Sequence, residues 1–248
     1  MQAFEFQFDH IGGCLLHSFP MRSKLPRLLV ACAVFITLTS IAWQVAQERG
    51  WIPEQITTPV PAHGAVDQLI IRQPEATPPY DRDAFGQAWS DDVDVPGGHN
   101  GCDTRNDMLQ RDLSNITFKP NTRNCVVTSG YLQDPYSGLG HQFLKGNRTS
   151  TEVQIDHVVA LADAWQSGAW RWDADLRRNF ANDPANLQAT LAAENQNKKA
   201  KTADQWLPSD PAYACTYVQR QVDLKLHYQL SVTQEEHDAM ARILNGCN

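Results

Sequence analysis

The six cysteines of this 248-residue chain form no CxxC pair and show no zinc-ribbon spacing, which argues against a cysteine-built zinc centre. Cations are also in short supply. The 21 Lys and Arg stand against 28 Asp and Glu, a formal net charge of −7, so the chain lacks the overall basic footprint common among proteins that hold a polyanion. Net charge does not decide the charge of one groove, and a local nucleic-acid site survives that test. No internal repeat is present. Disorder is excluded for most of the chain, because 42% of it is hydrophobic and it carries seven Trp. The length suits one domain with a core, plus an appendage.

Residues 28–47 contain no charge. Arg22, Lys24 and Arg27 precede this stretch, and Glu48 and Arg49 follow it. A positive region feeding an apolar run predicts an export signal, with Ser40-Ile41-Ala42 as a small-residue cleavage site. The same run is about long enough, at roughly 20 residues, to be retained as a membrane anchor. Either way the downstream chain is expected outside the cytoplasm, secreted or anchored, with membrane contact only through residues 21–47. Met21 reads as the natural start, leaving residues 1–20 outside the product. Residues 48–79 are rich in proline and read as a linker, and the folded domain is expected over 80–248.

Cys14 and Cys32 lie in or before the targeting segment, leaving Cys102, Cys125, Cys215 and Cys247 for the folded part. Four cysteines allow three connectivities. An exported chain meets an oxidising compartment, so disulfides are expected. Two closing helices are predicted. One carries an apolar stripe of Ala214, Val218, Val222 and Leu226, and the other begins at the capping box Thr233-Gln234-Glu235-Glu236. Paired antiparallel, they would bring Cys215 to Cys247 and leave Cys102 for Cys125.

Upstream, a helix is predicted over 103–113. A β-hairpin is predicted from 125–132 and 140–143 about the turn residues Asp134-Pro135-Tyr136-Ser137-Gly138. A strand is expected over 153–159, with helices over 175–180 and 191–206. Trp165, Trp170, Trp172 and Trp206 are read as core or loop anchors.

The chemistry concentrates between Gln154 and Lys201. Hydrolysis of a phosphodiester needs a water to lose a proton near neutral pH and extra negative charge to be stabilised at phosphorus. Histidine suits the first task, and a divalent metal held by Asp and Asn oxygens suits the second. Asp156 and His157 are adjacent, and on a strand they point to opposite sides. Asn195 follows on a helix, with Lys198, Lys199 and Lys201 close behind as candidate phosphate contacts.

The run Asp156-His157, Asn186-Leu187 and Asn195 resembles the HNH endonuclease motif of the ββα-metal fold. The segments YDRDAFGQAW, NGCDTRND, QIDHVVALADAW and FANDPANL, with the closing cysteine, resemble an exported actinobacterial group of that family. The resemblance implies an α+β domain with a ββα-metal core beside the β-hairpin and the C-terminal helical hairpin. It implies Asp156 and Asn195 as ligands of one divalent metal, magnesium before manganese, and His157 as general base. Asn186 would orient the loop carrying His157. The implied reaction is endonucleolytic hydrolysis of nucleic acid, DNA before RNA, by a monomer. Two alternatives are a catalytically silent cell-surface or wall-binding domain and a phosphodiesterase on a non-nucleic substrate.

Overall fold

A computed structural model describes residues 62–247. The export, anchor and start-site expectations for residues 1–47 lie outside that range. No helix among the described residues is long and apolar enough to cross a membrane.

The architecture is α+β, with small sheets and helices in alternation. Its elements are α1 (Ala62–Val66), β1 (Ile70–Ile71), α2 (Thr104–Asp112), β2 (Leu113–Phe118), β3 (Val127–Gln133) and β4 (Gly140–Leu144). They continue with β5 (Val153–His157), α3 (Leu161–Gln166), α4 (Ala174–Asn182), β6 (Leu187–Leu191) and α5 (Ala192–Lys198). The chain closes with α6 (Ala214–His227), β7 (Ser231–Val232) and α7 (Gln234–Asn245). Strands β2, β3 and β4 form an antiparallel meander, β5 and β6 an antiparallel pair, and β1 and β7 a short parallel pair.

Local chemistry explains most of these boundaries. Helix α2 starts where Asp103 accepts a hydrogen bond from the Asn106 amide at 2.8 Å, the usual N-cap arrangement. The β3–β4 turn closes on Asp134, whose carboxylate accepts from the Tyr136 amide and the Ser137 hydroxyl. Gly138 supplies the left-handed residue of that turn, with φ 71°. Helix α7 begins at Thr233, whose hydroxyl accepts from the Glu236 amide. The Glu236 side chain, which a full capping box would send back to the cap, turns inward to Lys225 at 2.8 Å.

Two apolar clusters carry the fold. One gathers α1, α3, α6 and α7 with Tyr136, Phe180, Trp165 and Trp206. The other fills the space between α2, the meander and the β5–β6 pair, with Met108, Leu113, Phe143, Val153, Ile155 and Leu187. The bridge Cys102–Cys125 joins the start of α2 to the approach to β3, with Cα atoms 5.1 Å apart. Cys215–Cys247 joins the start of α6 to the end of α7 at 5.9 Å.

Two sequence expectations change. The helix expected over 191–206 ends at Lys198, because Lys199 takes a positive φ of 54° and the chain leaves the helical path. The region expected as linker is ordered from residue 62. Ala65, Val66 and Leu69 are buried in the helical core, and Ile70 and Ile71 pair with Ser231 and Val232.

Candidate active site

Strand β5 alternates between two environments. Val153 and Ile155 enter the meander-side core, and His157 emerges on the same side at the strand end. Gln154 and Asp156 face the other way, toward α5. Strand β6 lies antiparallel to it, with Asp156 opposite Gln188 and His157 opposite Leu187, and α5 follows directly.

Asp156 is 3% exposed, and both its oxygens are engaged. Lys198 Nζ donates to Oδ1 at 3.0 Å, and the Tyr136 hydroxyl donates to Oδ2 at 2.9 Å. Burial pushes the Asp156 carboxyl above its usual range, while the Lys198 ammonium pulls it back. The same ammonium donates at 2.7 Å to the backbone carbonyl of His157. Lys198 thus clamps the Asp156-His157 dipeptide from inside. With 0% of its side chain exposed it is not placed to meet a phosphate, which corrects the expectation from sequence. A lysine behind a helix reads as a solvated charge until its tertiary partner is known. Lys199, one residue on, is exposed.

Asn195 donates to Gln154 Oε1 at 2.8 Å and makes no hydrogen bond to Asp156. The pair expected as metal ligands is therefore not presented as one open set. A cation beside Asp156 Oδ1 would meet the ammonium already there, so these residues as arranged do not fit a divalent metal. Among the described residues, no cluster of three or more His, Cys, Asp or Glu side chains is disposed to hold one.

His157 is oriented through one ring nitrogen. Its Nε2 lies 2.9 Å from the Ala181 carbonyl oxygen, which can only accept, so Nε2 carries the proton and Nδ1 of the neutral ring keeps its lone pair. Burial holds the imidazole pKa down at about 4, with the charges of Arg82 and Lys198 acting in the same direction and the Ala181 hydrogen bond opposing them. The ring is therefore neutral at neutral pH. It opens on a cleft of about 140 Å³ lined by Arg82, Phe85, Gly86, Trp89, Ala181 and Asn182.

Asn186 is fully buried and brackets the residues after His157. Its Oδ1 accepts from the Val159 amide at 2.8 Å, and its Nδ2 donates to the Val159 carbonyl at 3.3 Å. Its own carbonyl accepts from the Val158 amide at 2.8 Å. Arg220 and Arg111 reinforce this segment through the carbonyls of Ala185, Leu187 and Pro184.

Three cleft residues escape a motif-based reading of the sequence. Arg82 is exposed beside the imidazole. Trp89 lies nearly parallel to it, with 12° between planes and 6.0 Å between centroids. Asn182 is 1% exposed, and its Oδ1 has no hydrogen-bond partner among the described residues. The usable signal was that Arg82 and Trp89 lie inside YDRDAFGQAW and Asn182 inside FANDPANL, blocks that carried the family resemblance.

Comparison with known proteins adds two findings. The family model described as "GmrSD restriction endonucleases, C-terminal domain" matches residues 103–243. A protein of Arthroderma benhamiae described as "Uncharacterized secreted protein" is 33% identical over 197 residues, 79% of this chain and 89% of that relative. No solved structure matches.

Proposed function

Because the chain belongs to the family of GmrSD restriction endonuclease C-terminal domains, an HNH-related family, we propose that it is an exported nuclease that hydrolyses phosphodiester bonds with His157 as general base. One observation carries the reading. The Ala181 carbonyl accepts a hydrogen bond from Nε2–H, which leaves Nδ1 of the cleft-lining ring unprotonated. A nucleophilic water bound there would give its proton to Nδ1. A pKa near 4 makes a weak base, but an incoming phosphodiester anion favours the imidazolium and raises that value in the complex. Arg82, at the same cleft, would stabilise charge gathering on the phosphoryl oxygens.

The strand pair β5–β6 followed by α5 has the element order of a ββα-metal core, and we read it as one. The divalent ion that the resemblance implies does not fit at Asp156 and Asn195 as they stand, and no step is derived through it. Asp156, Lys198, Tyr136 and Asn186 act on the reaction by fixing the position of His157. Export is supported by the relative described as secreted and by two disulfides, which persist in oxidising compartments.

The test is cleavage of labelled DNA and RNA by the full chain and by His157→Gln, with magnesium and with chelator, beside a small phosphodiester as third substrate. Loss of cutting in the variant supports the nuclease. Equal, negligible turnover in both chains would point to a silent binding domain. Turnover of the small ester alone would point to a non-nucleic substrate.

A further inference from the structure

Trp89 does not belong to the motif that carries the chemistry, yet with Gln87 and Ala88 it lines two clefts. One is the His157 cleft with Arg82 and Asn182. The other is a second cleft of about 340 Å³ that Trp89 shares with Arg105, Lys145 and Phe143. The backbone at Trp89 has a φ of 59°, in the left-handed region that a bulky residue occupies only at a cost. That conformation is held by the start of α2. The Thr104 amide donates to the Trp89 carbonyl at 3.3 Å, and the Thr104 hydroxyl donates to the Ser90 carbonyl at 2.8 Å. Strain of this kind is maintained where surrounding contacts over-determine it, and its result here is an indole half-buried at two openings.

We infer that Trp89 is a base-stacking platform, and that the substrate is a single-stranded stretch of nucleic acid crossing from the Arg105 and Lys145 cleft over the indole to His157. The inference rests on the nuclease reading and deepens it. An indole face accepts any base without reading its identity, and a duplex keeps its bases stacked on one another and unavailable to it. Arg82 on one side and the exposed Lys145 on the other are placed to meet the backbone phosphates on either side of the stacked base. Each cleft also carries one acid. Asp103 in the second is occupied as the cap of α2, and Asp83 in the first stands beside Arg82.

The decisive measurement is binding by the full chain in a His157→Gln background, so that no strand is consumed. Three labelled oligonucleotides of one sequence are compared by fluorescence anisotropy: a single strand, its duplex, and the same single strand made abasic at successive positions. Trp89→Ala should weaken the base-bearing single strand roughly 5- to 100-fold and leave the abasic strand within about twofold. Trp89→Phe should retain most of the affinity while losing the tryptophan quenching that the single strand causes. Equal weakening on base-bearing and abasic strands, whether from a misfolded variant or a loosened His157, overturns the platform, and so does no weakening at all. Failure of the native chain to cut any nucleic acid would sink the nuclease reading separately, leaving the binding ratios to decide the role of Trp89.

Discussion

Lys198 and Asp156 form an ion pair from which water is excluded, 3.0 Å apart with 0% and 4% of their side chains exposed. A lone charge left in such a place is costly, because the Coulombic partner is lost while the desolvation remains. Lys198→Ala should therefore destabilise the domain by about 3–5 kcal/mol. Asp156→Asn combined with the same Lys198→Ala should lose far less than the sum of the two single changes. Denaturant midpoints of the four chains give the coupling directly. A Lys198→Ala effect under about 0.5 kcal/mol, the range of an exposed lysine, would contradict the clamp.

The pH dependence follows from His157. Its folded pKa, near 4, lies below the unfolded value of 6.5, so the folded state binds fewer protons between those limits. Its contribution to stability is fully present above about pH 6.5 and is lost as pH falls toward 4. Activity measured as kcat/KM should hold down to about pH 5 and fall with an acid limb centred near 4, since that parameter reports the free enzyme. An acid limb centred near 6.5 would place the imidazole in open solvent instead.

Asn186 makes three hydrogen bonds to the two residues that follow His157 on the loop. Two of them use the side chain. Asn186→Ala should cost about 1–3 kcal/mol, because it leaves the Val159 amide and carbonyl buried without partners. Turnover should fall more than KM rises, since the variant misplaces His157 without touching the substrate. A pure KM effect would argue against the bracing role.

A chain beginning at residue 80 should be less stable than the full chain. It lacks Ala65, Val66 and Leu69 from the helical core and leaves β7 unpaired. Burial of the Val and Leu side chains alone contributes about 3–6 kcal/mol. Thermal unfolding of the two chains side by side would show the difference, and equal midpoints would return 62–79 to the status of a linker.

Much of the fold was legible because its signals are local. The Asp134 turn with Gly138, the Thr233 cap of α7 and the stripe of α6 each act over a few residues, and each belongs to an element that the structure contains. The expected overlong helix has a physical cause of its own. Residues 199–201 carry no glycine or proline to mark a stop, and the side chain of Lys198, the last helical residue, is held by Asp156, 42 residues earlier in sequence. The short α1 failed as a signal for the opposite reason, since a five-residue helix has no period to detect. Within the site, the motif exposed His157, Asp156 and Asn186 as a group. It could not distinguish a lysine that meets solvent from one that meets a buried carboxylate. Nor could it bring Trp89 to His157, because nothing local in the sequence signals that approach.

The pairing of Cys102 with Cys125 and of Cys215 with Cys247 joins neighbours in chain order, with neither loop enclosing or crossing the other. A chain emerging N-terminus first through a translocation channel into an oxidising space would present the four described cysteines in the order in which they bond. Among these four, each sulfur would meet its native partner before a competing one arrives. On such a route, pairing of these four cysteines would need a thiol oxidant but no isomerase to unscramble bridges among them.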